Sequence, residues 1–235
     1  MLSENPEDYR TLYNSFHSPI SIIDCGEKCA PYNEGRVPFC CDTRHAVPTA
    51  YLTEWNYLQE ETNLWHLWSS SDSKEVQRMR SETPDGQVLI ECLGHTQCQR
   101  NFRSVTCRAF PFFPYISRRD EFLGLSHYWE YTDRCWVISH PEVVNPEYRS
   151  EFISAYEQIF AAYPQEKENF CNHSLMIRRI YGRRHQAIPL LHRNGYAYKI
   201  TPHNGRLRRV PVNTFPRYGQ YRVASKLSFR DELEA

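Results

Sequence analysis

The sequence predicts an α+β fold, with an irregular, loop-rich core flanked by helices and closed by short C-terminal strands. Three observations predict it. Nine cysteines occur in 235 residues, and the first four lie in a stretch broken by Gly, Pro and Asn. Apolar residues recur at helical spacing over 49–68 and 145–181. Beyond residue 185 come short extended pieces, GYAYKI and RLRRVPVN, around His203-Asn204-Gly205, a good hairpin turn.

Taken in order, the chain to about residue 48 reads as loop. The stretch 49–68 reads as a helix, with Thr49 as its cap and Leu52, Trp55, Leu58 and Trp65 near one face. Residues 69–85 are a polar insertion. Asp85-Gly86 is a turn signal, and QVLIEC after it is a strand ending on Cys92. Residues 107–119 cannot be regular helix, because Pro111 and Pro114 interrupt them. Asn145-Pro146 is an N-cap with proline at the first helical position. The helix it opens carries Tyr148, Phe152, Tyr156, Ile159, Phe160 and Tyr163 at helical spacing. A second helix spans about 165–181 and stops at Gly182, suited to a left-handed cap. Two regions result, 1–141 with the cysteine cluster and 142–235, helical and basic, packed together as one globule.

Lys+Arg and Asp+Glu number 28 each, but the balance is uneven. Residues 172–235 hold 13 basic and 3 acidic side chains, a net of +10, so the remainder carries −10. Either the basic part lies against its own acidic body, or it meets an anionic partner or nucleic acid. The arginines concerned are Arg178, Arg179, Arg183, Arg184, Arg206, Arg208 and Arg209, interleaved with Tyr181, Tyr196 and Tyr198. With a mean hydropathy of −0.68 and no apolar run near the roughly 18 residues of a membrane span, no membrane span is expected. No secretory signal is visible, and the expected location is cytoplasmic. GxGxxG, GxxxxGK[ST], HExxH and GxSxG are all missing from the sequence, so no dinucleotide fold, P-loop, zincin or nucleophile elbow is supported.

The cysteine spacing is C-x3-C-x10-C-C-x50-C-x5-C-x8-C-x27-C, with Cys171 35 residues further on. A reducing compartment argues against disulfides, and thiolates on turn-rich chain suit a soft metal. Close-spaced ligands converge on one ion, while distant ones staple separate segments to it. The adjacent Cys40 and Cys41 point in different directions, which suits two sites, or a cluster of several metal atoms, better than one zinc. Cys25, Cys29, Cys40, Cys41, Cys92, Cys98, Cys107 and Cys135 are the candidate ligands; Cys171, beside Phe170 on an apolar helix face, reads as a core residue. Eight thiolates at four per centre make at most two complete sites, of zinc or of a four-iron cluster. Spacing does not choose between the metals.

These residues carry a resemblance. C-x3-C-x10-CC, then ECLGHTQC, then TCRAFPF and a later Cys135 resemble the YkgJ-type cysteine-cluster family of zinc- or iron-chelating proteins, which includes flagellin lysine N-methylase. The similarity covers roughly residues 24–140. It implies bound zinc or a 4Fe-4S cluster and, through the methylase relative, a group-transfer enzyme acting on a protein substrate with S-adenosylmethionine. The alternative is a non-catalytic metalloprotein whose thiolates staple the fold while the basic region engages a partner.

Arg108, next to Cys107, is a candidate grip for an anionic cofactor or an ion-pair partner of the acidic body. His45, His95, His127 and His140 lie near cysteines and are candidate ligands or proton carriers, with solvent exposure the plainer expectation. Phe110, Phe112, Phe113 and Tyr115 read as a packing strip, with a stacking surface as the sharper alternative.

Overall fold

The computed structural model describes residues 5–222. The expected α+β class holds, and every strand pairing between named strands is antiparallel. The N-terminal part is more ordered than a loop reading allows. It contains helix α1 (Glu7–Ser15), whose Tyr9, Leu12 and Tyr13 are buried, and the short α2 (Cys25–Cys29) followed by single 3₁₀ turns.

The 49–68 window is not one helix. It divides into β1 (Thr49–Tyr51), α3 (Leu52–Glu61) and β2 (Trp65–Leu67). The helix starts late because Glu54 folds back to accept the Tyr51 N–H at 3.2 Å. It ends at Thr62, whose backbone is extended. The polar stretch 69–85 holds α4 (Ser73–Glu82), opened by Asp72 accepting the Lys74 N–H at 2.9 Å; none of its residues is buried. The expected strand is β3 (Gln87–Cys92), and it lies between β1 and β2 in a three-stranded sheet.

Then come α5 (Val105–Ala109), β4 (Phe112–Ile116), β5 (Phe122–His127) and α6 (Trp136–Ser139). As expected, Asn145 caps α7 (Pro146–Ala162), accepting the Glu147 N–H at 2.9 Å. The next helix, α8 (Pro164–Arg183), runs through Gly182, and the left-handed residue after it is His185 (φ 53°). The chain closes with β6 (Ile188–His192), β7 (Ala197–Ile200) and β8 (Leu207–Val210), the last two joined by the expected turn.

Strands β4 to β8 form one sheet in chain order. Its middle seam, Gly124↔His192 and Leu125↔Leu191, joins residues from either side of position 141. Gly124 has φ 144°, and a Cβ there would stand 2.3 Å from the Leu191 carbonyl oxygen, so only glycine permits this approach. Helix α8 covers β4: the Ser174 hydroxyl accepts the Ile116 N–H at 2.9 Å, and Arg178 donates to the Ile116 carbonyl at 2.9 Å. Helix α7 lays Tyr148, Phe152, Tyr156 and Ile159 into the main core, whose rim carries Cys25, Cys92, Cys107 and Cys135. Phe112, Phe113 and Tyr115 are buried on β4, in keeping with a packing strip, and Phe110 sets its edge on Tyr131 at 4.7 Å.

Candidate metal centre

Capping decides where the cysteines stand. Asp24 accepts the Gly26 N–H at 2.9 Å and starts α2 on Cys25, so Cys29 follows about one turn later. The chain returns through 3₁₀ turns to Phe39–Cys41, held by Asp42, which accepts from Asn33 at 2.9 Å and from Arg44 at 2.8 Å. Strand β3 delivers Cys92. Gly94 (φ 100°) then reverses the chain, and two 3₁₀ turns bring Cys98 back toward α5. Ser104 caps α5 by accepting the Cys107 N–H at 3.2 Å. Cys135 is the N-cap residue of α6, which packs on α2.

Burial raises most of these thiols, and their neighbours add to it. Cys25 is pushed to about 11 by burial and then by Cys29, and Cys107 to about 12 by burial, with Cys41, Cys98 and Cys92 adding to it against Arg103. Cys135 rises through burial and then Cys25. Cys29 and Cys92 also rise, burial first. Cys40 and Cys41 have sulfurs 3.9 Å apart. The hydrogen bond they share raises Cys40 and brings Cys41 down to about 7, with Arg103 assisting the drop.

Against burial stands a set of donors aimed at sulfur. Backbone N–H groups of Ile138 and Val137 act on Cys135, that of Gly94 on Cys92 and that of Phe39 on Cys29. The Ser21 hydroxyl donates to the Ile23 carbonyl and the Cys29 thiol to the Gly26 carbonyl at 3.6 Å, while Arg103 Nε donates to Cys98 Sγ at 3.2 Å. Such donors to sulfur favour the thiolate over the thiol. Cys171 has the opposite arrangement. Its thiol donates to Asp120 Oδ1 at 3.2 Å, and burial, then that bond, raise it to about 11. It is half-buried on the core's edge rather than enclosed in it.

Arg108 is not beside an open site. The side chain is buried, with Nε donating to the Arg103 carbonyl at 2.8 Å and Nη2 to that of Asn101 at 2.6 Å. Nη1 donates to Tyr13 at 3.3 Å and to Phe16, and the guanidinium lies 4.1 Å over the Tyr13 ring. The arginine facing sulfur is Arg103, whose sequence signal was only its place one helical turn before Cys107. Sequence reading also missed Glu54. This fully buried carboxylate accepts from the Tyr13 hydroxyl and the Val105 N–H, each at 2.6 Å, and so ties α1 to the start of α5.

The histidines scatter. His95 is exposed, while His45 is half-buried with Nε2 3.1 Å from Asn33 Oδ1 and Nδ1 3.1 Å from Arg134. His127 and His140 are buried rather than solvent-exposed; they meet the Tyr181 hydroxyl at 2.9 Å and the Trp136 carbonyl at 3.0 Å.

Among the described residues, no three His, Cys, Asp or Glu side chains stand close enough together to hold a metal ion. No helix of the described residues is long and apolar enough to cross a membrane. A scan against protein-family models finds no match, and neither do searches of curated proteins and of solved structures.

Proposed function

We propose that this chain is a cysteine-cluster metalloprotein that binds zinc or an iron–sulfur cluster through Cys25, Cys29, Cys40, Cys41, Cys92, Cys98, Cys107 and Cys135. One observation carries the reading. Arg103 Nε donates to the sulfur of Cys98 at 3.2 Å, whereas the Cys171 thiol donates to the Asp120 carboxylate at 3.2 Å. Thiolate ligands need such donors, which offset charge on sulfur and orient it. A buried cysteine serving only as a small hydrophobe does not. The donor set is all sulfur, which fits zinc or iron–sulfur. Bringing ligands into contact with metal then requires side-chain movement from the arrangement described, in keeping with the coupling of metal binding to folding.

Whether the metal serves group transfer to a protein, as the family resemblance implies, or staples the fold depends on an open coordination position. Anaerobic purification with elemental analysis and an absorption spectrum tests the metal reading. One zinc, or four irons, per four candidate cysteines supports it. Metal-free protein that keeps its fold refutes it.

A second reading concerns the basic region. Only Arg193–Glu157 (2.5 Å) and Arg217–Glu142 (3.4 Å) tie its described basic side chains to carboxylates of the body. Arg179, Arg183, Arg206 and Arg208 are exposed and have no carboxylate partner among the described residues. That surface suits a polyanion such as nucleic acid, and salt-sensitive binding of an oligonucleotide, lost on replacing these arginines, is its test.

A further inference from the structure

We infer that the open end of the five-stranded sheet, where Tyr196, Tyr198 and Arg209 share a face, is a stacking platform for a single-stranded nucleic acid. The inference rests on the reading of the basic region as a polyanion surface, and names the class of polyanion and the residues that meet its bases.

Strand register defines the platform. Tyr198 stands opposite Arg209 and Ile200 opposite Leu207, and strand side chains alternate, so these four share one face. The Arg209 guanidinium lies 3.4 Å over the Tyr196 ring, which puts that ring on the same face. Helix α8 packs on this side of the sheet, where Ile200 is buried with Ile177 and Tyr181. Tyr198 is partly buried at the rim of that cluster. Tyr196, 47 % exposed, and the exposed Arg209 lie outside it. The platform is also held in shape. Asn194 donates to the Tyr198 hydroxyl at 3.0 Å and, through its backbone N–H, to His192 Nδ1 at 3.1 Å, and the His192 and Tyr198 rings stand 4.9 Å apart. Aromatic rings and a planar guanidinium fixed in this way present a surface on which unpaired bases stack. A duplex encloses its bases and cannot use it.

Charge supplies the other half of the argument. Residues 172–222 contain no Asp or Glu. Arg206, Arg208 and Arg209 are exposed and have no carboxylate partner among the described residues. On the opposite face of the same hairpin, Arg208 stands directly across from Lys199, whose ammonium donates to the Thr214 carbonyl at 2.7 Å. Like charges in cross-strand register repel, and a phosphate at that edge relieves the repulsion. Strand β8 is the edge of the sheet, so its basic side chains flank the platform and serve the backbone of a strand whose bases stack there.

The test follows the fluorescence anisotropy of a labelled oligothymidylate of about 12 nucleotides, and of a labelled duplex of the same length, on titration with the full chain at low salt. The single strand is expected to bind about tenfold more tightly than the duplex. Tyr196→Ala should weaken single-strand binding about tenfold, the loss of one stacked base, and leave duplex binding unchanged, whereas Tyr196→Phe keeps both. Replacing Arg206 and Arg208 together by glutamine should weaken both and lower the salt dependence by about two phosphate contacts. Equal affinity for strand and duplex, or a Tyr196→Ala variant that binds like wild type, overturns the stacking platform and leaves the polyanion reading standing. The comparison of strand with duplex uses the unaltered chain, so it decides the matter even where a variant fails to fold. Binding of neither refutes the underlying reading instead.

Discussion

Replacing Arg108 by methionine is expected to destabilise the protein by about 4 kcal/mol. The side chain is 7 % exposed, and its guanidinium donates to the backbone carbonyls of Tyr13, Phe16, Asn101 and Arg103. Methionine fills similar space but donates nothing. Each carbonyl left without a partner costs about 1–3 kcal/mol, reduced where its second lone pair is used elsewhere. The Tyr13 ring also loses a cation stacked on its face, worth about 1–2 kcal/mol when desolvated. Against this stands the release of a buried charge, whose cost is visible in the lowered proton affinity of Arg108. At a urea slope of about 2 kcal/mol per molar, the midpoint falls by about 2 M, read by tryptophan fluorescence. Arg108→Lys should lose nearly as much, since one ammonium cannot span four carbonyls on two segments. A loss below about 1 kcal/mol for methionine would refute the clamp.

Three further outcomes are expected. Burial, working against hydrogen bonds from Tyr13, Val105 and Tyr51, lifts the Glu54 carboxyl from 4.5 to about 7. The folded state thus keeps a proton that the unfolded chain releases within that window, so this contribution is complete below about pH 4.5 and falls away as pH rises through 7. The loss is about 3 kcal/mol, and in Glu54→Gln the slope of urea stability against pH over that range should flatten. Gly124→Ala drives a methyl into the Leu191 carbonyl and should lower stability by about 3 kcal/mol or more, visible as an early thermal transition. Cys171→Ala should change stability by no more than about 1 kcal/mol and leave metal content at the wild-type level, since its thiol faces Asp120.

Local signals that carry their own chemistry were legible. Asn145-Pro146 opened a helix because a side-chain cap and a fixed φ act within one turn. QVLIEC became a strand, and His203-Asn204-Gly205 a turn, for equally local reasons. Helix α4 was hidden because none of its residues is buried, so no apolar stripe marks it. The 49–68 window misled because Trp65 and Leu67 belong to a strand paired with β3, more than twenty residues later in the chain. At the candidate centre, Cys171 was set apart from the other eight cysteines by its place beside Phe170 on an apolar helix face. Its bond to Asp120 could not be read there, because Asp120 lies on a turn 51 residues away. Arg103 and Arg108 were equally opaque. Which of two nearby arginines meets sulfur and which meets carbonyls depends on where α1 and the 101–103 turn come to rest.

The seam between β5 and β6 has a consequence for how the gene could be divided. A break near position 141 divides the five strands of this sheet between two polypeptides: β4 and β5 on one, β6, β7 and β8 on the other. Each half would present a bare strand edge shaped to the other, with Gly124 admitting the close approach. Co-expressed halves are therefore suited to reassemble as a split protein, and co-purification of one half through a tag on the other offers a readout of the reunion.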